Sequence, residues 1–75
     1  MIKSLDKLDL NERSRIVKVS GEEALKRRLL DLGFVPGEEV FCVLVSPFKD
    51  PKAYKIKGNI IAIRDIDAKW VEVLE

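Results

Sequence analysis

The stretch that decides the fold is Ser20-Gly-Glu-Glu-Ala-Leu-Lys-Arg-Arg-Leu-Leu-Asp-Leu-Gly-Phe-Val-Pro-Gly-Glu-Glu-Val-Phe-Cys-Val-Leu-Val-Ser46. It begins with Ser20 and Glu23, the spacing of a capping box in which each side chain satisfies the other's free backbone N–H. Leu25, Leu29 and Leu32 then recur at intervals of four and three, which is one face of a helix. Gly33 follows, where a helix favours a residue free to take a left-handed conformation. These signals predict a helix over about residues 22–32. Pro36-Gly37 fits the two central positions of a type II turn, in which the second residue has positive φ. Glu39 to Ser46 then reads as a strand, and its unbroken apolar run predicts burial on both faces. Pro47 ends it.

Outward from this stretch, short strands dominate. Arg15–Val19 is rich in β-branched residues and predicts a strand. Before it, residues 2–11 read as an irregular N-terminal segment. Leu5, Leu8 and Leu10 are available there to plug one end of the core, and Asn11-Glu12 form a turn. After it, Pro47-Phe-Lys-Asp-Pro51 is a loop with two prolines. Ala53–Lys57 alternates, with Tyr54 and Ile56 on one side and Lys55 and Lys57 on the other. Gly58-Asn59 is expected to connect it to a return strand over residues 59–64. Residues 65–68 fit a single helical turn. Residues 69–74 predict a closing strand with Val71 and Val73 on one side and Trp70 on the other. The fold class is therefore mainly β: five short strands and one inserted helix, arranged as a small barrel because closure removes exposed edges.

Composition bounds the function. The chain has 75 residues, enough for one domain, residues 1–75, and 47% of them are apolar. Fourteen basic and thirteen acidic side chains leave a net charge of +1, without the clear basic excess that nucleic-acid binding requires. There is no histidine and one cysteine, Cys42. The commonest general base and metal ligand is thus missing, a structural zinc site is excluded, and no disulfide can form within the chain. Cys42 reads as a small core residue. The four glycines punctuate turns and do not form a phosphate-binding loop. Asp65 with Asp67, and Glu38 with Glu39, are too few carboxylates for a tight cation site. No catalytic, cofactor or metal residues are expected, and the chain is expected not to be an enzyme. The N-terminus lacks an apolar signal segment, and the longest apolar run, Val40–Val45, is far short of the ~20 residues that cross a bilayer. A cytoplasmic protein without direct membrane insertion is expected.

Three features are candidates for binding. Lys49, Lys52, Lys55 and Lys57 crowd one hairpin, opposed locally by Asp50. They form a basic edge for an acidic partner, or they guard a strand against aggregation. Trp70 is the one tryptophan and lies out of phase with Val71 and Val73. It faces outward as an interface anchor, or a second layer covers it. In the basic run Lys26-Arg27-Arg28, Arg28 adjoins the leucine stripe, and Asp31 at i+3 is its expected partner.

The motifs in register resemble the FeoA family. Arg28-Leu-Leu-Asp-Leu-Gly-Phe-Val-Pro-Gly37 resembles that family's Arg-Leu pair leading into a Leu-Gly-hydrophobic-x-Pro-Gly turn. Pro47-Phe-Lys-Asp-Pro51 resembles its Pro-x-x-Asp-Pro loop. Gly58-Asn-Ile-Ile-Ala-Ile-Arg64 with Ala68, Val71 and Val73 resembles its C-terminal pattern. Asn11 stands where the family often has Gly, and Ile63 where Leu is common. Asn tolerates the same left-handed backbone. The resemblance implies an SH3-like barrel with an inserted helix. It also implies a small accessory protein of bacterial ferrous-iron uptake, acting by contact with the cytoplasmic regions of the transporter FeoB, which include a GTPase domain. On that reading Arg28, Gly33, Pro36, Gly37, Pro47, Asp50, Pro51 and Trp70 shape the docking surface. An exposed strand edge is expected to support a weak homo-oligomer. Two alternatives stand beside it. One is a nucleic-acid-binding barrel using the Lys49–Lys57 hairpin with Tyr54 and Trp70 as stacking platforms. The other is a free-standing relative of the C-terminal domain of metal-dependent repressors, whose DNA-binding helices this chain lacks.

Overall fold

In the computed structural model, which describes residues 1–74, the chain runs β1 (Ile2–Ser4), a 3-10 turn (Leu5–Lys7), β2 (Arg13–Val19), α1 (Glu23–Asp31), β3 (Glu39–Val45), β4 (Lys52–Ile56), β5 (Asn59–Ile63), α2 (Asp65–Ala68) and β6 (Val71–Leu74). The strands form one antiparallel sheet in the order β1-β6-β2-β3-β4-β5. There are six strands where the sequence predicted five. The added one is β1, three residues that the sequence left in an irregular segment; its pairing with β6 (Ile2 with Leu74, Ser4 with Glu72) is non-local and leaves no periodicity to read.

Strand β2 curls the sheet. Its first residues, Arg13–Arg15, pair with β3, and from Ile16 onward it pairs with β6. The register shifts between Ile16 and Lys18, a bulge that adds a residue and bends the strand. Ile16 and Val19, three residues apart, therefore both reach the core. A second shift, between Cys42 and Leu44, does the same for β3. Val40 and Cys42 point inward, whereas Leu44 is exposed. The predicted burial of both β3 faces is thus corrected: the strand is one-sided, and Phe41 and Val43 lie on its outer face.

The core gathers Leu5, Leu8, Leu29, Phe34, Tyr54, Val71 and Val73, all fully buried. Phe34 and Tyr54 meet edge-on, with centroids 6.3 Å apart and planes at 84°, a favourable aromatic geometry. Leu5 and Leu8 plug the core as expected, but Leu10 is exposed. The N-terminal segment is held by side chains of β4. The Tyr54 hydroxyl donates to the Leu5 carbonyl at 3.4 Å. The Lys52 ammonium donates to the Leu8 carbonyl at 3.4 Å and to the Asp6 carbonyl.

Helix α1 forms where the leucine stripe predicts, with Leu29 buried and Leu25 and Leu32 packed beside the core. Its capping differs. Gly21 takes φ +99, the chain enters the helix at Glu22, and no side chain caps the first turn. The Ser20–Glu23 box does not form, because the Ser20 hydroxyl instead donates to the Trp70 carbonyl at 3.3 Å. Gly33, at φ +112, ends the helix, with the Phe34 N–H donating back to Leu29. The Pro36-Gly37 turn is present: Gly37 has φ +95 and the Glu38 N–H donates to the Val35 carbonyl at 3.0 Å.

The β4–β5 hairpin turns one residue earlier than predicted. Lys57 and Gly58 occupy the loop at φ +51 and +80, and Ile56 pairs with Asn59. Positive φ at both positions is the type I′ signature, whose twist matches the flanking strands. Asn11, at φ +68, also takes the left-handed conformation expected of it.

Candidate docking surface

The sites singled out in the sequence fall in three places. Arg28 and Trp70 come together. Helix α1 presents Arg28 across a groove to α2, where the Asp67 carboxylate accepts a hydrogen bond from the Arg28 guanidinium at 2.9 Å. Arg64, just ahead of α2, reaches the same carboxylate oxygen at 3.7 Å. The expected partner of Arg28 was Asp31, one turn along the helix; Asp67 takes it because α2 carries that acid to the opposite wall. Two guanidinium groups share one carboxylate, and Glu22 on the α1 side brings the lining to two basic and two acidic side chains. Trp70 closes one end, with Leu25 and Glu22 on the α1 side.

Trp70 is 39% exposed. One side of the indole lies against Gly21: a Cβ there would meet the ring carbons at 3.1 Å. The Lys69 ammonium sits 5.5 Å from its ring centroid, a cation–π arrangement. The indole is therefore half covered and half open, between the outward-facing and the covered alternatives. Trp70 belongs to the turn after α2 and precedes the last strand, which begins at Val71.

The Pro47–Pro51 loop adjoins the same helix. The Asp50 carboxylate accepts a hydrogen bond from the Asp65 N–H, the first residue of α2, at 3.0 Å. Pro47 leads into it, Phe48 is 91% exposed, and the peptide before Pro51 is cis. The Gly33–Gly37 turn lies elsewhere. Gly33 packs near Ile56 and Lys57, at the far end of β4 from Pro51. Five strand residues separate those ends by roughly 13–17 Å. Pro36 and Gly37 follow, and the Gly37 carbonyl accepts a hydrogen bond from Arg15 at 2.7 Å.

The lysine hairpin divides. Lys52 is 9% exposed and holds the N-terminal segment, so it is structural. Lys55 and Lys57 line an outer-face concavity with Phe41 and Ile60, and the Arg13 guanidinium lies 5.0 Å over the Phe41 ring. Tyr54 is fully buried. The stacking platform of the nucleic-acid alternative thus loses one of its two aromatics, because the inward phase of β4 belongs to Tyr54 and Ile56. Sequence reasoning missed Arg64 and the role of Asp67. The signal was available: the two are three apart at a turn already expected to be helical.

Cys42 is free and buried. Burial pushes its thiol up, and nearby Lys52 only partly opposes that. Glu12 titrates below its ordinary range, first because it accepts the Asp9 N–H and second because it pairs with Lys3 at 2.7 Å. Among the described residues, no three acidic or cysteine side chains gather as a metal-ligating set. No helix is long and apolar enough to cross a membrane.

Fold and surface define a small SH3-like β-domain whose polar surface offers ion pairs and turns. Residues 3–74 match the FeoA domain, and the chain belongs to the FeoA family. It is 33% identical over 69 residues to the Fe(2+) transport protein A/Fe(2+) transporter FeoB fusion protein of Porphyromonas gingivalis; the match covers 92% of this chain and spans 8% of that protein's length. Among solved structures, iron(II) transport protein A of Clostridium thermocellum is 36% identical with a TM-score of 0.88, over 93% of this chain and 43% of that one. Stenotrophomonas maltophilia FeoA complexed with zinc, described as a prokaryotic SH3 domain protein, is 33% identical with a TM-score of 0.84, over 95% and 88%. A manganese-dependent transcriptional repressor shares the fold, with a TM-score of 0.87 at 11% identity over 99% of this chain and 41% of that one.

Proposed function

We propose that this chain is a non-enzymatic accessory domain of bacterial ferrous-iron uptake. It binds the cytoplasmic part of a FeoB-type transporter and modulates uptake or nucleotide hydrolysis by contact. The observation that carries the reading is the Porphyromonas gingivalis relative, in which a homologous domain is part of the same protein as the transporter. A homologous domain fused to the transporter supports docking of this domain on the transporter, and with it a cytoplasmic location.

The α1–α2 groove supports the reading physically. Arg28 and Arg64 share the single Asp67 carboxylate, so an acidic segment of the transporter gains a charge-assisted hydrogen bond with little loss. The open side of Trp70 supplies apolar area at the groove's end. Pro47, Asp50 and Pro51 extend this surface through the tie to α2. Gly33, Pro36 and Gly37 act at one remove, by fixing where α1 ends.

Calorimetric titration of the cognate transporter, full-length and as its GTPase domain, tests this. Binding is expected, and Arg28→Glu or Trp70→Ala should weaken it by about tenfold or more, as hot-spot substitutions do. Absence of binding to the full-length transporter and to its cytoplasmic parts overturns the proposal.

A further inference from the structure

Strand β5 ends the sheet, and among the described residues its strand partner is β4 alone. Which of its backbone groups are free follows from the hairpin. A two-residue type I′ loop is closed by a pair that exchanges both backbone hydrogen bonds, here Ile56 and Asn59, and bonded and non-bonded pairs then alternate. Asn59, Ile61 and Ile63 therefore direct their N–H and C=O groups to β4. Ile60 and Ala62 direct theirs outward, and no turn or loop group among the described residues takes them up. Edge strands are usually blunted by lysine, proline or a bulge. Asn59-Ile-Ile-Ala-Ile63 has no charge and no proline, its register on β4 is unbroken, and Ile60 is 66% exposed.

We propose that β5 pairs antiparallel with β5 of a second copy of this chain, about a two-fold axis at Ile61. In that register Ile60 lies opposite Ala62 of the copy, and Ala62 opposite its Ile60. The four outward residues then satisfy one another in four backbone hydrogen bonds. A shift of two residues breaks this match, pairing Ile60 with itself and Ala62 with loop residue Gly58, or Ala62 with itself and Ile60 with Arg64. The side chains agree with the same register. A large residue meets a small one on the outer face, and the half-buried Ile61 meets its own copy on the inner face. The paired segment Asn59–Ile63 carries no charge that would repel its copy. A foreign strand would find the same backbone groups but not this self-complementarity. The pairing uses the sheet edge and does not depend on the transporter reading.

Sedimentation equilibrium of the whole chain, from micromolar to about millimolar concentration, is expected to show a reversible monomer–dimer equilibrium. Ala62→Pro removes an outward N–H in each copy and should raise the dissociation constant roughly 30-fold. Ala62→Lys tests the same edge if the proline variant fails to fold, and its circular dichroism should match the parent. In a mixed sample of differently labelled chains, Ile60 should show intermolecular NMR contacts to Ala62. Trp70→Ala should leave the dimer intact, which separates this surface from the α1–α2 groove. A monomer at every concentration, even one that accepts a foreign strand, overturns the proposal. So does a dimer unaffected by the Ala62 variants.

Discussion

Tyr54 shows how much of this protein's chemistry is set by burial at single residues. Its phenol is pushed far above the ordinary value of 10.0, first by desolvation and then by the charges of Cys42, Asp65, Asp6 and Asp50. The neutral phenol is therefore the form the fold stabilises. That stabilisation is fully present below pH 10, where the unfolded chain also keeps the proton. It is lost progressively as pH rises above the unfolded value. Because Tyr54 is the only tyrosine, phenolate absorbance should appear only together with loss of the circular dichroism of the fold, as one alkaline transition. Phenolate forming well before unfolding would contradict this account. The sequence placed Tyr54 and Ile56 on one face of β4 but left open its use as a stacking surface. Only the packed β4, with Phe34 against the ring, closed that option.

At the scale of elements, the hairpin and α1 show which local signals decide geometry. The β4–β5 loop needs positive φ at two positions, and Gly58 meets the second without strain. Lys57 meets the first at φ +51 against its steric preference. Lys57→Asn places the favoured Asn-Gly pair in the loop and should stabilise the domain by about 0.5–1 kcal/mol, read as a higher urea midpoint at unchanged slope. The predicted loop lay one residue later because Gly-Asn and Lys-Gly compete as turn pairs, and cross-strand pairing settles which wins. Helix α1 was legible from its leucine spacing, since that face packs inward wherever the helix is placed. Its cap was not, because Gly21 turns the chain beneath the Trp70 indole and takes Ser20 out of capping range. Arg28 follows the same logic: an i+3 partner is visible in sequence, and Asp67, 39 residues away, is not.

For the whole molecule, the N-terminal segment carries more of the stability than its short strand suggests. Leu5 and Leu8 are fully buried, and Lys52 and Tyr54 both spend their polar atoms on its carbonyls. Losing two buried leucines costs about 4–10 kcal/mol, comparable to the whole stability of about 5–15 kcal/mol typical of a domain. Deletion of residues 2–8 should therefore abolish cooperative thermal unfolding and collapse NMR dispersion. A truncated chain with a sharp transition near the parent midpoint would show that β2–β6 close the core alone.

By itself the sequence determined the mainly β class, the helix and its buried stripe, the turns at Asn11, Gly33 and Gly37, and the absence of histidine chemistry. These follow from short-range rules of periodicity, positive φ and side-chain type, which need no knowledge of the rest of the chain. Its motifs also carried the FeoA resemblance that the family match bears out. The tertiary structure alone decided the sixth strand, the two bulges, the burial of Lys52, the partner of Arg28 and the half-covered state of Trp70. Each of these depends on which distant strand or helix arrives next to a residue, and that is settled by closing the core rather than by any local pattern.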